Sequence, residues 1–124
     1  LIVDLGTIVS ITKIDNQGNF IGGQLLPGFT TQLKSMEQNT KNLKFPKNIF
    51  IPINNFEINT VNAMLRGVYN SIIGAIKLSF NSTQDLLILC GGDANLIGKS
   101  IREEIKNTLI EPDLVMYGMI FSEK

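Results

Sequence analysis

LIVDLGTIVSITKIDNQGNFIGGQLLPG, residues 1–28, is the stretch whose reading decides the fold. Leu1, Ile2 and Val3 form an apolar run that ends in Asp4. Val9 to Ile14 alternates with Ser10 and Thr12 and stops at Asp15-Asn16-Gln17-Gly18, and a third run begins at Asn19. β-Branched segments bounded by Gly and Asn/Asp clusters are strand and turn chemistry, so the stretch predicts two hairpins. At the first bend the order is Asp4-Leu5-Gly6-Thr7. Gly6 lets the backbone turn tightly and leaves its N–H uncovered, so a phosphate can approach with no Cβ in the way. Thr7 adds a hydroxyl, and Asp4 at the strand end suits a cation or an ordered water that offsets phosphate charge. Four such residues are also an ordinary turn, since Asp and Gly are common turn formers.

Downstream, Gly22-Gly23 and Pro27-Gly28 bracket a strand end where backbone passes close to a ligand or a neighbouring strand. Phe29, Leu33 and Met36 fall at helical spacing and predict a short amphipathic helix. Residues 40–57 hold Pro46, Pro52 and several Asn, and so predict an irregular connection. Thr60 reads as the N-cap of the longest helix, with Val61, Met64, Leu65, Val68, Ile72 and Ile76 on its apolar face to about Phe80. Ala63, Gly67, Ser71 and Gly74 make a second stripe of small residues, against which either the protein's own sheet or a second subunit packs. Leu86 to Cys90 predicts a strand buried on both faces. It runs into Gly91-Gly92-Asp93 and then a helix with Ile97, Ile101, Ile105 and Leu109 on one face. Strand, Gly-Gly, helix is a junction that admits a flat base or a phosphate beside a helix N-terminus, and it is also common in any α/β fold. Pro112-Asp113 breaks the last helix, and Leu114 to Tyr117 predicts a final short strand before Gly118-Met119.

The order β-β-β-α-loop-α-β-α-β gives an α/β fold, a mixed sheet with helices on its faces and a ligand site at the carboxyl ends of the central strands. At 124 residues the chain is about one domain. Lys and Arg total 11, as do Asp and Glu, so no global field favours nucleic acid or an anionic membrane. No apolar run approaches the ~20 residues of a membrane helix. Cys90 is the only cysteine, so no internal disulfide forms and a reducing cytoplasm is expected. With no histidine, imidazole acid/base chemistry and His-ligated metals are excluded.

Taken together, five pieces resemble the type III pantothenate kinases, of the actin-like ATPase superfamily. They are Asp4-Leu5-Gly6-Thr7 with its hairpin, GNFIGGQLLPG at 18–28, Asn59-Thr60 with Ala63 and Gly67, Cys90-Gly91-Gly92-Asp93, and Pro112-Asp113-Leu114 with Gly118-Met119. The resemblance implies one ribonuclease H-like domain of the actin-like ATPase fold and ATP-dependent phosphorylation of pantothenate, the first step of coenzyme A synthesis. It implies that Asp4 binds a monovalent cation, potassium or ammonium, and that Gly6 and Thr7 contact ATP phosphates. It further implies that Thr60 contacts pantothenate, that Gly91, Gly92 and Asp93 border the adenosine, that magnesium rides on the phosphates, and that the protein is a homodimer. Such positioning and charge neutralisation is what phosphoryl transfer needs.

Two departures matter. Kinases of this family open with a separate domain carrying an Asp-x-Gly-Asn-Thr phosphate loop, then a Gly-x-Asp-Arg segment whose Asp is the general base. Neither motif occurs in residues 1–124, so the chain is expected to be the carboxyl-terminal half, with no catalytic base of its own and no activity in isolation. Ile8-Val9-Ser10 also stands where the family more often has small residues and Thr. The alternative role is a non-catalytic accessory or regulatory relative of the same fold. A third, a phosphotransferase acting on a sugar or acetate, is separated from the first by what Thr60 does.

Overall fold

The computed structural model describes residues 1–114 and 118. Strands β1 (Ile2–Leu5), β2 (Ile8–Ile14) and β3 (Phe20–Pro27) are followed by helices α1 (Phe29–Gln38) and α2 (Thr60–Ser79). Strand β4 (Leu87–Cys90), helix α3 (Ala94–Glu104) and strand β5 (Thr108–Ile110) complete the order. The two expected hairpins form, with β1–β2 and β2–β3 antiparallel. Asp15 makes the second bend, because one carboxylate oxygen accepts from the N–H of Gln17 at 2.9 Å and of Asn19 at 2.8 Å while Gly18 takes φ of 83°. Such an Asx-type turn competes with strand extension and ends β2.

The sheet order is β3-β2-β1-β4-β5, with β4 parallel to β1 and β5 parallel to β4. A mixed α/β sheet is therefore observed, as the sequence order implies. Alternation along the strands sends Val3, Leu5, Val9, Ile11, Leu87 and Leu89 to one face, where they meet Phe29 and Leu33 of α1, the apolar stripe of α2, and Ile97 and Ile101 of α3. Among the described residues all three helices cover this one face. The register puts Ile8, Leu25 and Leu109 on the other, and Leu25 is 78% exposed there.

Several boundaries differ from the sequence reading. Asn59, not Thr60, caps α2: its side-chain oxygen accepts from the N–H of Asn62 at 2.8 Å, and Thr60 is the first helical residue. Val61 is exposed and outside the core. Helix α3 ends at Glu104, with Ile105 extended and Leu109 in β5 rather than on the helix. Asn107 captures the chain there, since its carbonyl accepts from Leu87 N–H and its amide donates to the Asp85 carbonyl, both at 3.0 Å. Tertiary pairing thus overrides a helical spacing that Ile105 and Leu109 satisfy equally well. Leu86 precedes β4 and is exposed. Of the expected strand from Leu114 to Tyr117, residues 115–117 lie outside the described residues, as does Met119. Leu114 N–H closes a turn onto the Glu111 carbonyl. Gly67 and Gly74 face open space, so the small-residue stripe does not pack on the chain's own sheet.

Candidate functional site

The parallel pairing of β1 with β4 sets Asp4 opposite Cys90, so the two glycine-bearing bends leave the sheet side by side. Gly91 adopts φ of 93°, a region that L side chains rarely enter. A Cβ there would fall 2.3 Å from Asp4 Oδ1 and 2.7 Å from Leu5 N. The absence of a side chain at 91 is what lets the Asp4 carboxylate lie over the end of β4. The Asp93 N–H then donates to the Leu5 carbonyl at 2.9 Å, and the Gly91 N–H to the Pro112 carbonyl at 3.1 Å. The ends of β1 and β4 are stitched together by backbone.

The first bend is clamped from the other side. Gly28 N–H and the Thr31 hydroxyl both donate to the Thr7 carbonyl, at 2.8 and 2.7 Å. A Cβ on Gly28 would overlap the Gly6 carbonyl, only 2.0 Å away. The bend's carbonyls are thereby turned toward α1. Among the described residues, neither Gly6 nor Thr7 gives its N–H to a protein acceptor. Thr7 is exposed, and its hydroxyl likewise has no protein partner among the described residues.

At the neighbouring bend, Gly92 is exposed and has no heavy atom within 4 Å of its would-be Cβ. Asp93 occupies the N-cap of α3 but makes no side-chain cap hydrogen bond. Its partial burial pushes its carboxyl above the ordinary value. Burial, reinforced by the charge of Asp4, pushes the Cys90 thiol up to about 11. Cys90 is therefore a protonated, buried thiol whose S–H points at the Val3 carbonyl 3.6 Å away, and it is no nucleophile at neutral pH.

Asp4, Gly6, Thr7, Gly91, Gly92 and Asp93 thus form one shelf at the carboxyl ends of β1 and β4. Thr60 does not join them by any hydrogen bond among the described residues. Its place follows from two contacts of α2, Ser79 with Gln24 and Ser71 with Gln32, both 3.0 Å. Going from Ser79 to Ser71 moves α2 from the middle of β3 toward the start of α1, beside the first bend. Thr60 lies roughly 16 Å further the same way at ~1.5 Å per residue. That direction runs toward the carboxyl-end side of β1 and β4.

No group of three or more His, Cys, Asp or Glu residues able to hold a metal occurs among the described residues. Asp4 and Asp93 are the carboxylates at the two bends, and a cation held at either would need further ligands from bound oxygens, as hard cations take several oxygen ligands. The close backbone approach expected at Pro27-Gly28 is made, to the first bend, whereas sequence reasoning missed the Thr31 hydroxyl's part in the clamp and the Pro112 and Leu5 carbonyls as acceptors. Pro27-Gly28 beside a Gly-containing bend carried the only signal for the clamp.

The type III pantothenate kinase family model matches residues 1–81. Type III pantothenate kinases of Porphyromonas gingivalis and Dehalococcoides mccartyi are 31% and 32% identical to the chain, over 96% and 98% of its length. Those alignments cover 50% and 47% of the two kinases, so the chain spans about half the length of the curated relatives it matches. The crystal structure of a conserved Baf family protein from Campylobacter jejuni superposes with a TM-score of 0.71 at 24% identity, covering 95% of this chain and 53% of that one. That likeness bears on the fold alone.

Proposed function

The chain belongs to the type III pantothenate kinase family, and from that premise we propose that it is the carboxyl-terminal half of an enzyme that transfers the terminal phosphoryl group of ATP to the primary hydroxyl of pantothenate. The observation that carries the reading is the seat made by Gly91, where only a missing side chain lets Asp4 stand beside both glycine bends. In this proposal the free N–H groups of Gly6 and Thr7, with the Thr7 hydroxyl, hold the ATP phosphates. Asp4 holds a monovalent cation, potassium or ammonium, against that charge. Gly91 and Gly92 leave room for the adenosine, and Asp93 lies at its border. Thr60 takes pantothenate at the exposed start of α2. A bound magnesium ion supplies charge neutralisation on the phosphates.

The general base and the second phosphate loop belong to the other half in this scheme, so the 124-residue chain alone turns over no ATP in response to pantothenate. Joined to an amino-terminal half carrying Asp-x-Gly-Asn-Thr and Gly-x-Asp-Arg, it does. In the joined enzyme Asp4→Asn lowers kcat/KM by about 10²-fold, the loss seen when one charge-stabilising contact is removed. Thr60→Ala raises the KM for pantothenate and leaves ATP binding unchanged. Pantothenate-dependent turnover by the chain alone would overturn the half-enzyme reading. Isothermal titration of the full-length protein that finds neither ATP nor pantothenate bound would assign the accessory role instead.

We also propose that two copies pair along Ala63, Gly67, Ser71 and Gly74, an exposed stripe with open space over both glycines. Gly67→Leu then shifts the mass measured by light scattering toward the monomer. An unchanged dimer removes this stripe from the interface.

A further inference from the structure

Away from the shelf, a hollow of about 590 Å³ runs along the outer side of α3 and β5, lined by Asn95, Lys99, Arg102, Glu103, Lys106 and Ile110. Lys99 and Arg102 are one turn apart on α3, and Lys106 follows just past the end of the helix, so three cations line the one hollow. None takes part in an ion pair among the described residues, where the pairs are Lys13–Asp85 and Lys77–Glu104. Glu103 is the acidic residue of the lining, with Glu104 near Lys106 on the adjoining side, so the lining itself carries two net positive charges in a chain whose total charge is zero. Ile110, half-buried, gives this trench an apolar wall.

We propose that this trench binds a soluble organic polyphosphate as a second anion site, distinct from the shelf at Gly6 and Gly91. Its volume falls in the ~300–1,000 Å³ range of small-molecule sites. Arg102 offers a planar fork for phosphate oxygens, the two lysines add mobile point charges, and Ile110 and the Asn95 amide suit the organic part. A nucleic acid is disfavoured, because the positive charge is confined to one hollow and the neutral chain supplies no wider field. Glu103 acts in the opposite sense to its neighbours, which gives the proposal a signature that a purely structural role lacks.

The test is residue-resolved titration of the ¹⁵N-labelled chain with inorganic triphosphate, followed by amide shifts at low ionic strength. Saturable shifts are expected at Lys99, Arg102, Glu103, Lys106 and Ile110, in addition to any at Gly6, Thr7 and Gly91. Lys99→Gln with Arg102→Gln and Lys106→Gln weakens the trench binding about tenfold or more, and Glu103→Gln tightens it by roughly two- to fivefold, the scale of exposed charge pairs. Raising salt weakens it further. Should the triple variant fold poorly, Arg102→Gln alone and Glu103→Gln give the same pair of opposite shifts. Shifts confined to the shelf, unchanged affinity in these variants, or tighter binding of an acidic peptide such as oligoglutamate in the trench would each overturn the proposal.

Discussion

Replacing Gly91 with alanine tests the argument that one missing side chain assembles the site. The new Cβ would sit 2.3 Å from Asp4 Oδ1, 2.7 Å from Leu5 N and 2.9 Å from Leu5 C. The carboxylate can swing away, but the Leu5 backbone is held in β1 by its neighbours and by the Asp93 N–H on its carbonyl. Placing an L residue at φ of 93° adds about 1–2 kcal/mol. Relieving two backbone contacts by bending the chain costs about as much again, comparable to overpacking a core. The sum is ~3 kcal/mol, a large share of the ~5–15 kcal/mol that holds a domain together. Gly92→Ala is the control, because that position has open space and no positive φ, and it is expected to cost under ~1 kcal/mol. Urea unfolding of the two variants beside the unaltered chain measures both. If Gly91→Ala unfolds within 1 kcal/mol of the parent, or if Gly92→Ala is the more damaging, the close approach of the two strand ends is not what the geometry says, and the reasoning about Asp4 falls with it.

Three further outcomes are expected. Asn59→Ala removes the cap on Asn62 N–H and lowers stability by ~1 kcal/mol, whereas Thr60→Ala, in the first turn, changes it little; urea midpoints separate the two. Cys90, raised by burial to about 11, resists iodoacetamide at pH 8 in the folded chain and reacts once urea unfolds it. Because its folded value lies above the ordinary one, the stability it contributes is complete below pH ~9 and lost as pH climbs through about 11, so Cys90→Ala flattens the alkaline limb of a melting curve. Burial works against the charge of Glu104, but hydrogen bonds from Lys77 at 2.7 Å and the Tyr69 hydroxyl at 2.6 Å outweigh it and hold its carboxyl below the ordinary value. That stability is present above the unfolded carboxyl's pKa and lost as pH falls through the lower folded value. Glu104→Gln therefore reduces the melting temperature at pH 7 more than at pH 3.

The elements most legible in the sequence were those whose cause is local. Alternation in Val9–Ile14, the Asp15–Gly18 turn, and the apolar period of Met64, Val68, Ile72 and Ile76 each carry their own physics, and each formed where expected. What failed was decided at a distance. Leu109 fits a helical face as well as a strand, and only the pairing of Asn107 and Thr108 with β4 chooses between them. Thr60 and Asn59 are both good caps, and which one faces the Asn62 N–H depends on how the preceding loop enters. For the site, residue identity pointed to Gly6 and Gly91 separately. Their adjacency required the parallel pairing of β1 with β4, across more than eighty residues of sequence, which no local pattern encodes.

That pairing also explains why the shelf is built from backbone. Two turns leave the sheet side by side, one from β1 into β2 and one from the neighbouring β4 into α3, both at the carboxyl ends of these central parallel strands. A side chain at Gly28 or Gly91 would collide with the first bend or the end of β1, as the 2.0 Å and 2.3 Å approaches make plain, whereas one at Gly6 would meet only ordinary contacts of 3.5 Å and more. What remains there is backbone N–H groups, the Thr7 hydroxyl and the carboxylates of Asp4 and Asp93. Such a surface recognises charge and shape and has no group poised to form a covalent bond, since the nearest thiol is buried and held protonated. Under the proposed function the stability of the two strand ends and anion binding are one property, so variants at Gly91 lose both together while variants at Thr7 lose only the second, which urea unfolding beside phosphate titration measures.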